Sequence, residues 1–141
     1  MIGSLEFQKF PSHDRGVRHE YMVANTAIQD ALEVELTTSA SAETFEIPTT
    51  QSFIFEGMAV IQKVDDASVI DSWIFRGHIV NQLGVTTMLA LDMDQLVKQG
   101  NNIFSPQAGG SGDLTFKVTC PNAGFTNAMH LAKVYVNGVI I

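Results

Sequence analysis

Cysteine, charge and long apolar runs are all scarce in this sequence, and each scarcity excludes something. Cys120 is the only cysteine among 141 residues. No intrachain disulfide can form, and a zinc site built on several cysteines is ruled out within one chain. Flanked by Thr119 and Pro121, Cys120 reads as a small residue at the end of a strand. Charged residues make up only 16% of the chain, against about 25% in an ordinary soluble domain. Eight Lys and Arg face fifteen Asp and Glu, for a net charge of −7. The basic residues form no patch, so nucleic acid is not expected as a partner. No apolar stretch is long enough to cross a bilayer as a helix, so no membrane is expected either. The opening MIGSLEFQKF has neither the basic start nor the apolar core of a secretory signal, which points to synthesis in the cytoplasm.

What is present is apolar and β-forming. Hydrophobic residues account for 45% of the chain. With so little charge, Thr, Ser, Asn and Gln must supply much of the polar surface, and such a surface suits packing against other protein. The length favours one domain with a real core.

Residues 1–16 differ from the rest and read as an N-terminal arm. They contain Ile2, Leu5, Phe7 and Phe10 without a sustained period. Two readings stand side by side: an arm that buries these four residues against a neighbouring subunit, or a strand folded back on its own domain. Residues 17–141 read as a β-sandwich domain. Candidate strands run over 17–24, over 32–37 with alternating Leu32, Val34 and Leu36, and over 44–47 up to Pro48. Next comes a hairpin of 51–64 and 68–82 around Asp65, Asp66 and Ala67. Both of its arms hold aromatics and a mid-strand glycine, Gly57 and Gly77, which implies cross-strand ring packing over a curved sheet. A further strand covers 85–91 and is closed by Asp92; 93–99 fits a helical turn or a strand equally well. Residues 105–113, with Pro106 and three glycines, read as a long turn. Strands over 113–120 and 128–136 complete the set, the last ending at the turn dipeptide Asn137-Gly138. Seven to nine strands with regular turns indicate an all-β antiparallel sandwich, jelly-roll-like.

The groups needed for chemistry are thin. His13, His19, His78 and His130 lie far apart, and His78 and His130 alternate with apolar neighbours as surface or interface residues do. Asp92-Met93-Asp94 lacks the later glycine and glutamate of a calcium loop. Gly109-Gly110-Ser111-Gly112 lacks the lysine and the following helix of a phosphate cradle. No Gly-x-Ser-x-Gly elbow occurs. No catalytic, cofactor-binding or metal-binding residue is expected, and the chain is not expected to be an enzyme.

The stretch HEYMVANTAIQDALEVELTTSASAETFEIPTTQSFIFEGMAVIQKVDDASVIDSWIFRGHIVNQLGVTTML resembles a β-domain of phage virion proteins, found in tail fibres, tailspikes and small head proteins. The likeness rests on several parts. One is the Thr-rich connection Leu36-Thr37-Thr38, another the turn Ile47-Pro48-Thr49-Thr50. The strand 52–62, the strand Ser72-Trp73-Ile74-Phe75-Arg76-Gly77 and the turn 81–87 follow, then the last two strands at 113–119 and 128–136. It extends over 17–141 and departs between Asp92 and Gly112; the last strand has Lys133-Val134-Tyr135 where the family usually carries tryptophan. The resemblance implies a virion role and a sandwich or jelly-roll fold, often trimeric, and no catalytic residue. Because the domain stands almost alone behind a short arm, the resemblance implies a capsid decoration or head-fibre protein that binds itself, as a homotrimer, and the major capsid protein or another virion protein. A tail fibre or adaptor component is the second reading. A carbohydrate-binding module for the host surface, with Trp73 and Tyr135 as candidate platforms, is the third.

Overall fold

The computed structural model describes residues 18–28, 32–36, 45–110, 112–121 and 129–141. Nine strands carry these residues: β1 (Arg18–Ile28), β2 (Val34–Leu36), β3 (Phe45–Glu46), β4 (Gln51–Lys63), β5 (Asp66–Gln82), β6 (Val85–Lys98), β7 (Ile103–Ala108), β8 (Asp113–Thr119) and β9 (His130–Ile140). All pairings are antiparallel. One sheet has the order β1-β9-β4-β5-β6; in the other, β8 pairs β2 and β3 on one side and β7 on the other. The first strand pairs with the last, and β2 and β3 pair with the one before it. That nesting is jelly-roll-like. The middle departs from it, because β4, β5 and β6 form a meander instead of crossing between sheets.

Alternation explains which side chains meet. On β9, every second residue from His130 to Ile140 is buried, as expected when one face of a strand meets the core. The two inner faces are joined by aromatic rings. Tyr21 stacks on Phe45 at 4.9 Å, Phe45 on Phe53 at 4.4 Å, and Phe75 meets Phe104 and Phe116 at 5.3 and 5.6 Å. Trp73 packs on Phe104 at 5.5 Å. These contacts cross from the five-stranded sheet to the smaller one, so the architecture is a sandwich with an aromatic core.

The two mid-strand glycines make room for aromatic rings. Gly57 lies opposite Phe75, and Gly77 opposite Phe55. Each ring lies where a methyl on the facing glycine would stand, and such a methyl would also strike the carbonyl oxygen of Tyr135 at Gly57, or of Ala90 at Gly77. The β5–β6 turn places Leu83 at φ 53° and Gly84 at φ 87°, the pattern of a tight two-residue hairpin turn. Asn81 secures it: its Oδ1 accepts from Gly84 N at 2.9 Å, and its Nδ2 donates to the Ile47 carbonyl at 2.7 Å.

Several expectations change. β6 does not stop at Asp92 but runs to Lys98, and 93–98 is strand. Alternation failed there because β6 is an edge strand, exposed on both faces for most of its length. Residues 103–108 form β7, although 105–108 read as part of a turn; Pro106 is tolerated because β7 is an edge strand with a bonding side to spare. Asn137-Gly138 makes no turn. Both continue the ladder opposite Glu56 and Phe55, and pairing overrides the local dipeptide signal. The apolar end is tied in as well, with Ile140 buried and Ile141 N donating to the Ser52 carbonyl at 2.8 Å. Leu32, assigned to the buried face of the second strand, is exposed and precedes it.

Candidate interaction surface

The outer face of the five-stranded sheet carries the most unusual chemistry of the molecule. Register sets its side chains in rows that run across the strands. One row is Glu20, Asn137, Glu56, Arg76 and Asp92. The next is Met22, Tyr135, Met58, Ile74 and Asp94, and on the other side of the charged row stand Val139, Ile54, His78 and Ala90. A single polar row is thus bracketed by two largely apolar ones. Met58, Ile54 and Ile74 are 58%, 47% and 40% exposed. Scattered apolar residues on a surface are ordinary, but a contiguous apolar band across several strands marks a site of contact with something else.

Two shallow grooves follow from this layout. The first, of about 490 Å3, is lined by Glu56, Met58, Ile74, Arg76, Asp92, Asp94, Tyr135 and Asn137 together with Gly57 and Phe75. The second, of about 330 Å3, continues the apolar row through Met22, Met58, Val60, Ile74 and Leu96 to Lys133 and Tyr135. Arg76 is held over the first groove by Asp92, with Nη2 at 3.2 Å and Nε at 3.2 Å from Oδ2. Both side chains are mostly exposed, so this pair orients the guanidinium without adding much stability. Four carboxylates, Glu20, Glu56, Asp92 and Asp94, stand in or beside these rows, with Arg76 among them and Lys133 at the second groove.

The edge of this face is β6. Two register shifts mark it: Leu89 and Leu96 are extra residues relative to β5, one at each end of the regular stretch Ala90–Gln95. They are bulges that bend the strand and break the ladder. Leu89 and Leu96 are both exposed, as are Val85, Leu91 and Met93.

No family model matches the chain, and no curated protein matches it. Among solved structures, it is similar to the tailspike protein gp49 of Acinetobacter baumannii bacteriophage Fri1, a capsular polysaccharide depolymerase, at 11% identity and a TM-score of 0.39. The likeness covers 95% of this chain, which spans only 19% of the tailspike's length. At that score it carries no argument about what this chain does.

The residues singled out in the sequence fall in different places. Ile2, Leu5, Phe7 and Phe10, the arm 1–16 and His13 lie outside the described residues. Trp73 points inward and is core, whereas Tyr135 is half-buried on the outer face beside Met58. His130 is buried, not superficial as a strand histidine usually is, and His19 is buried against the Phe45 ring at 5.8 Å. His78 stands half-buried on the outer face. Cys120 is buried, and burial, with help from the nearby Asp71 carboxylate, pushes its thiol up to about 11. Among the described residues, no group of three or more His, Cys, Asp or Glu is placed to hold a metal ion. The outer apolar rows were missed because Ile54, Met58 and Ile74 sit between equally apolar inward residues, and the eye assigns such a run to the core.

Proposed function

We propose that this chain is a non-enzymatic structural protein of a bacteriophage particle, which associates with copies of itself as a homotrimer and binds a second virion protein. A capsid decoration or head-fibre role, on the major capsid protein, is the first form of this reading; a tail fibre or adaptor is the other. The observation that carries the self-association part is the outer sheet face. An apolar band interrupted by one charged row has the composition of an interface, with hydrophobic contact for affinity and charge for orientation. The phage setting rests on the sequence resemblance over 17–141.

Mass in solution tests the first part. Light scattering at micromolar concentration is expected to give three times the chain mass, and a Met58→Glu, Ile74→Glu variant is expected to lower it while leaving the β spectrum unchanged. A sharply monomeric mass for the unaltered chain overturns the self-association. Quantitative mass spectrometry of purified particles tests the second part. A copy number near that of the major capsid protein, or a simple fraction of it, supports the head; a handful of copies supports the tail; absence overturns the virion reading.

The carbohydrate-binding reading draws on one observation, the half-buried Tyr135 beside Arg76, Asn137 and carboxylates in the first groove. A glycan array separates it from the structural role. Binding that is lost in Tyr135→Ala, with the oligomeric mass unchanged, favours it.

A further inference from the structure

The tip of the β5–β6 hairpin is built against local preference. Leu83 and Gly84 are the two central residues of its turn, and both have positive φ, 53° and 87°. A turn of this kind favours Asn-Gly or Gly-Gly, because an ordinary L side chain at positive φ crowds the carbonyl that follows it. Leu83 bears that strain, and its side chain is 74% exposed, so the fold recovers nothing from it. Thr50, also at positive φ, differs: its N donates to the Asn81 carbonyl at 2.7 Å and its Oγ1 to the Thr49 carbonyl at 2.6 Å. Strain held where the fold gains nothing points to a contact outside the fold.

The chemistry of the tip defines what it can touch. Gln82, Leu83, Gly84 and Val85 are all exposed. Residues 47–52 and 81–87, which form this end of the sandwich together with Ile141, carry no charged side chain. The tip is also fixed in advance. Asn81 ties Gly84 to Ile47, and Thr86 Oγ1 accepts from Gly112 N at 2.7 Å. An anchor held in this way loses little freedom on docking. Its partner must be apolar, since an uncharged tip cannot replace the water around a carboxylate.

A surface of that kind lies on the molecule itself. The second groove, of about 330 Å3, is formed by Met22, Met58, Val60, Ile74, Leu96 and Tyr135, and Lys133 is the one charged residue on its lining. A lysine can cover apolar surface with its stem and keep its ammonium in water. The first groove suits the tip poorly, because Glu56, Arg76, Asp92 and Asp94 would all have to give up water there. The tip does not reach the groove of its own chain. From Ile74 to Leu83 the extended β5 and its turn span about 30 Å.

We propose that the β5–β6 tip of one copy, with Leu83 as the anchor and Val85 beside it, docks into the apolar groove around Met58 and Leu96 of a neighbouring copy. The contact joins two different surfaces, and such contacts form a closed ring when the rotation between copies closes. This docking rests on the self-association proposed above and names the two surfaces that mediate it.

Cysteine pairing and a turn substitution test it on the full chain. A mixture of Leu83→Cys and Leu96→Cys chains is expected to give disulfide-linked pairs on a non-reducing gel after mild oxidation, with neither variant linking alone; the buried Cys120 does not compete. Leu83→Asn supplies the residue that the turn prefers. It is expected to lower the oligomeric mass, yet to raise Tm by roughly 2–4 °C at a dilution where both proteins are single chains. A Tm that falls there shows Leu83 serving its own fold and overturns the docking. Linkage between two Leu83→Cys chains shows the tips meeting each other and overturns it too. An oligomeric mass that Leu83→Asn leaves unchanged, with no Leu83–Leu96 link, overturns the docking and leaves self-association standing, whereas a monomeric mass for the unaltered chain overturns both.

Discussion

Removing the Asp71 carboxylate should loosen the passage between the two sheets. Asp71 is fully buried on β5, at the point where β6 ends and the chain turns toward β7. Its Oδ1 accepts from Gln99 N at 3.0 Å and Gly100 N at 3.1 Å, with Gln95 Nε2 more distant at 3.4 Å. Its Oδ2 accepts from Asn102 N at 3.1 Å and Asn102 Nδ2 at 2.8 Å. One carboxylate therefore accepts from three main-chain donors of the link between the sheets; Gln99 N is shared with the Ile70 carbonyl at 3.0 Å, which leaves Gly100 N and Asn102 N as the two that rely on Asp71. Hydrogen bonds to a charged acceptor are worth about 1.5–3 kcal/mol each, and a naive sum would exceed 7 kcal/mol. Two effects reduce it. Burying the charge has its own desolvation cost, and the donors on the link are near enough to solvent to find water once Asp71 is gone. Counting about 1 kcal/mol net for each of those two donors gives about 2 kcal/mol for Asp71→Ala, or a fall in Tm of roughly 4–8 °C for a chain of this size. Asp71→Asn keeps one acceptor and turns an amide toward Asn102 N, so it should lose about 1 kcal/mol. Urea titration gives the energies, and amide exchange resolves their location, with Gly100 and Asn102 becoming faster first. A loss below about 1 kcal/mol in Asp71→Ala, or unchanged exchange at those two amides, would refute the reasoning.

Gly57→Val should prevent folding or cost more than about 3 kcal/mol, because the new side chain meets the Phe75 ring and the rigid carbonyl of Tyr135; soluble expression and a thermal melt close to the unaltered chain would contradict this. Alkaline pH should destabilise the fold. Burial first, then the Asp71 carboxylate, raises the Cys120 thiol from an ordinary value of 9.0 to about 11, and burial pushes the Tyr21 phenol well above its usual 10.0. Both groups hold their protons more tightly folded than unfolded, so stability is complete below pH 9 and falls as pH rises toward 11 and beyond. Urea midpoints measured from pH 7 to 11 check the sign, and a midpoint that rises above pH 9 sinks it.

How much the sequence revealed depended on what each strand packs against. The β4–β5 hairpin was legible because both arms have one face on the core; cross-strand ring packing followed from the pattern, the seat of each ring over the facing glycine did not. Where a strand packs on only one neighbour, the signal faded. β6 alternates poorly because few of its side chains reach the core, and Asp92 reads as an end only if the outer face is assumed to be idle. β7 was hidden by Pro106, which an edge strand can hold. Asn137-Gly138 carries a strong local turn preference that two flanking strands, β1 and β4, overrule by pairing on both sides. The surface was harder still. A low charge content suggested a face that packs against protein, but only the register shows that Glu56, Arg76 and Asp92 fall in one line between two apolar rows. Nor could alternation tell Tyr135 from Trp73, since which parity faces the core is settled by the opposing sheet.

The paired glycines and rings of the hairpin have a consequence for how this chain avoids folding wrongly. A strand usually knows its alignment because a slip of one residue would turn its apolar face to water. With Ile54, Met58 and Ile74 outside as well as Phe53, Phe55 and Phe75 inside, that safeguard is weak here, for either face could pass as the buried one. Phe55 over Gly77 and Phe75 over Gly57 supply a different safeguard. A shift by one or two positions would set a ring against a side chain instead of a gap, and leave the vacated glycine as a hole on the partner. The hairpin is keyed like a lock with two offset pins, which lets the outer face remain sticky for assembly without making the alignment of its own strands ambiguous.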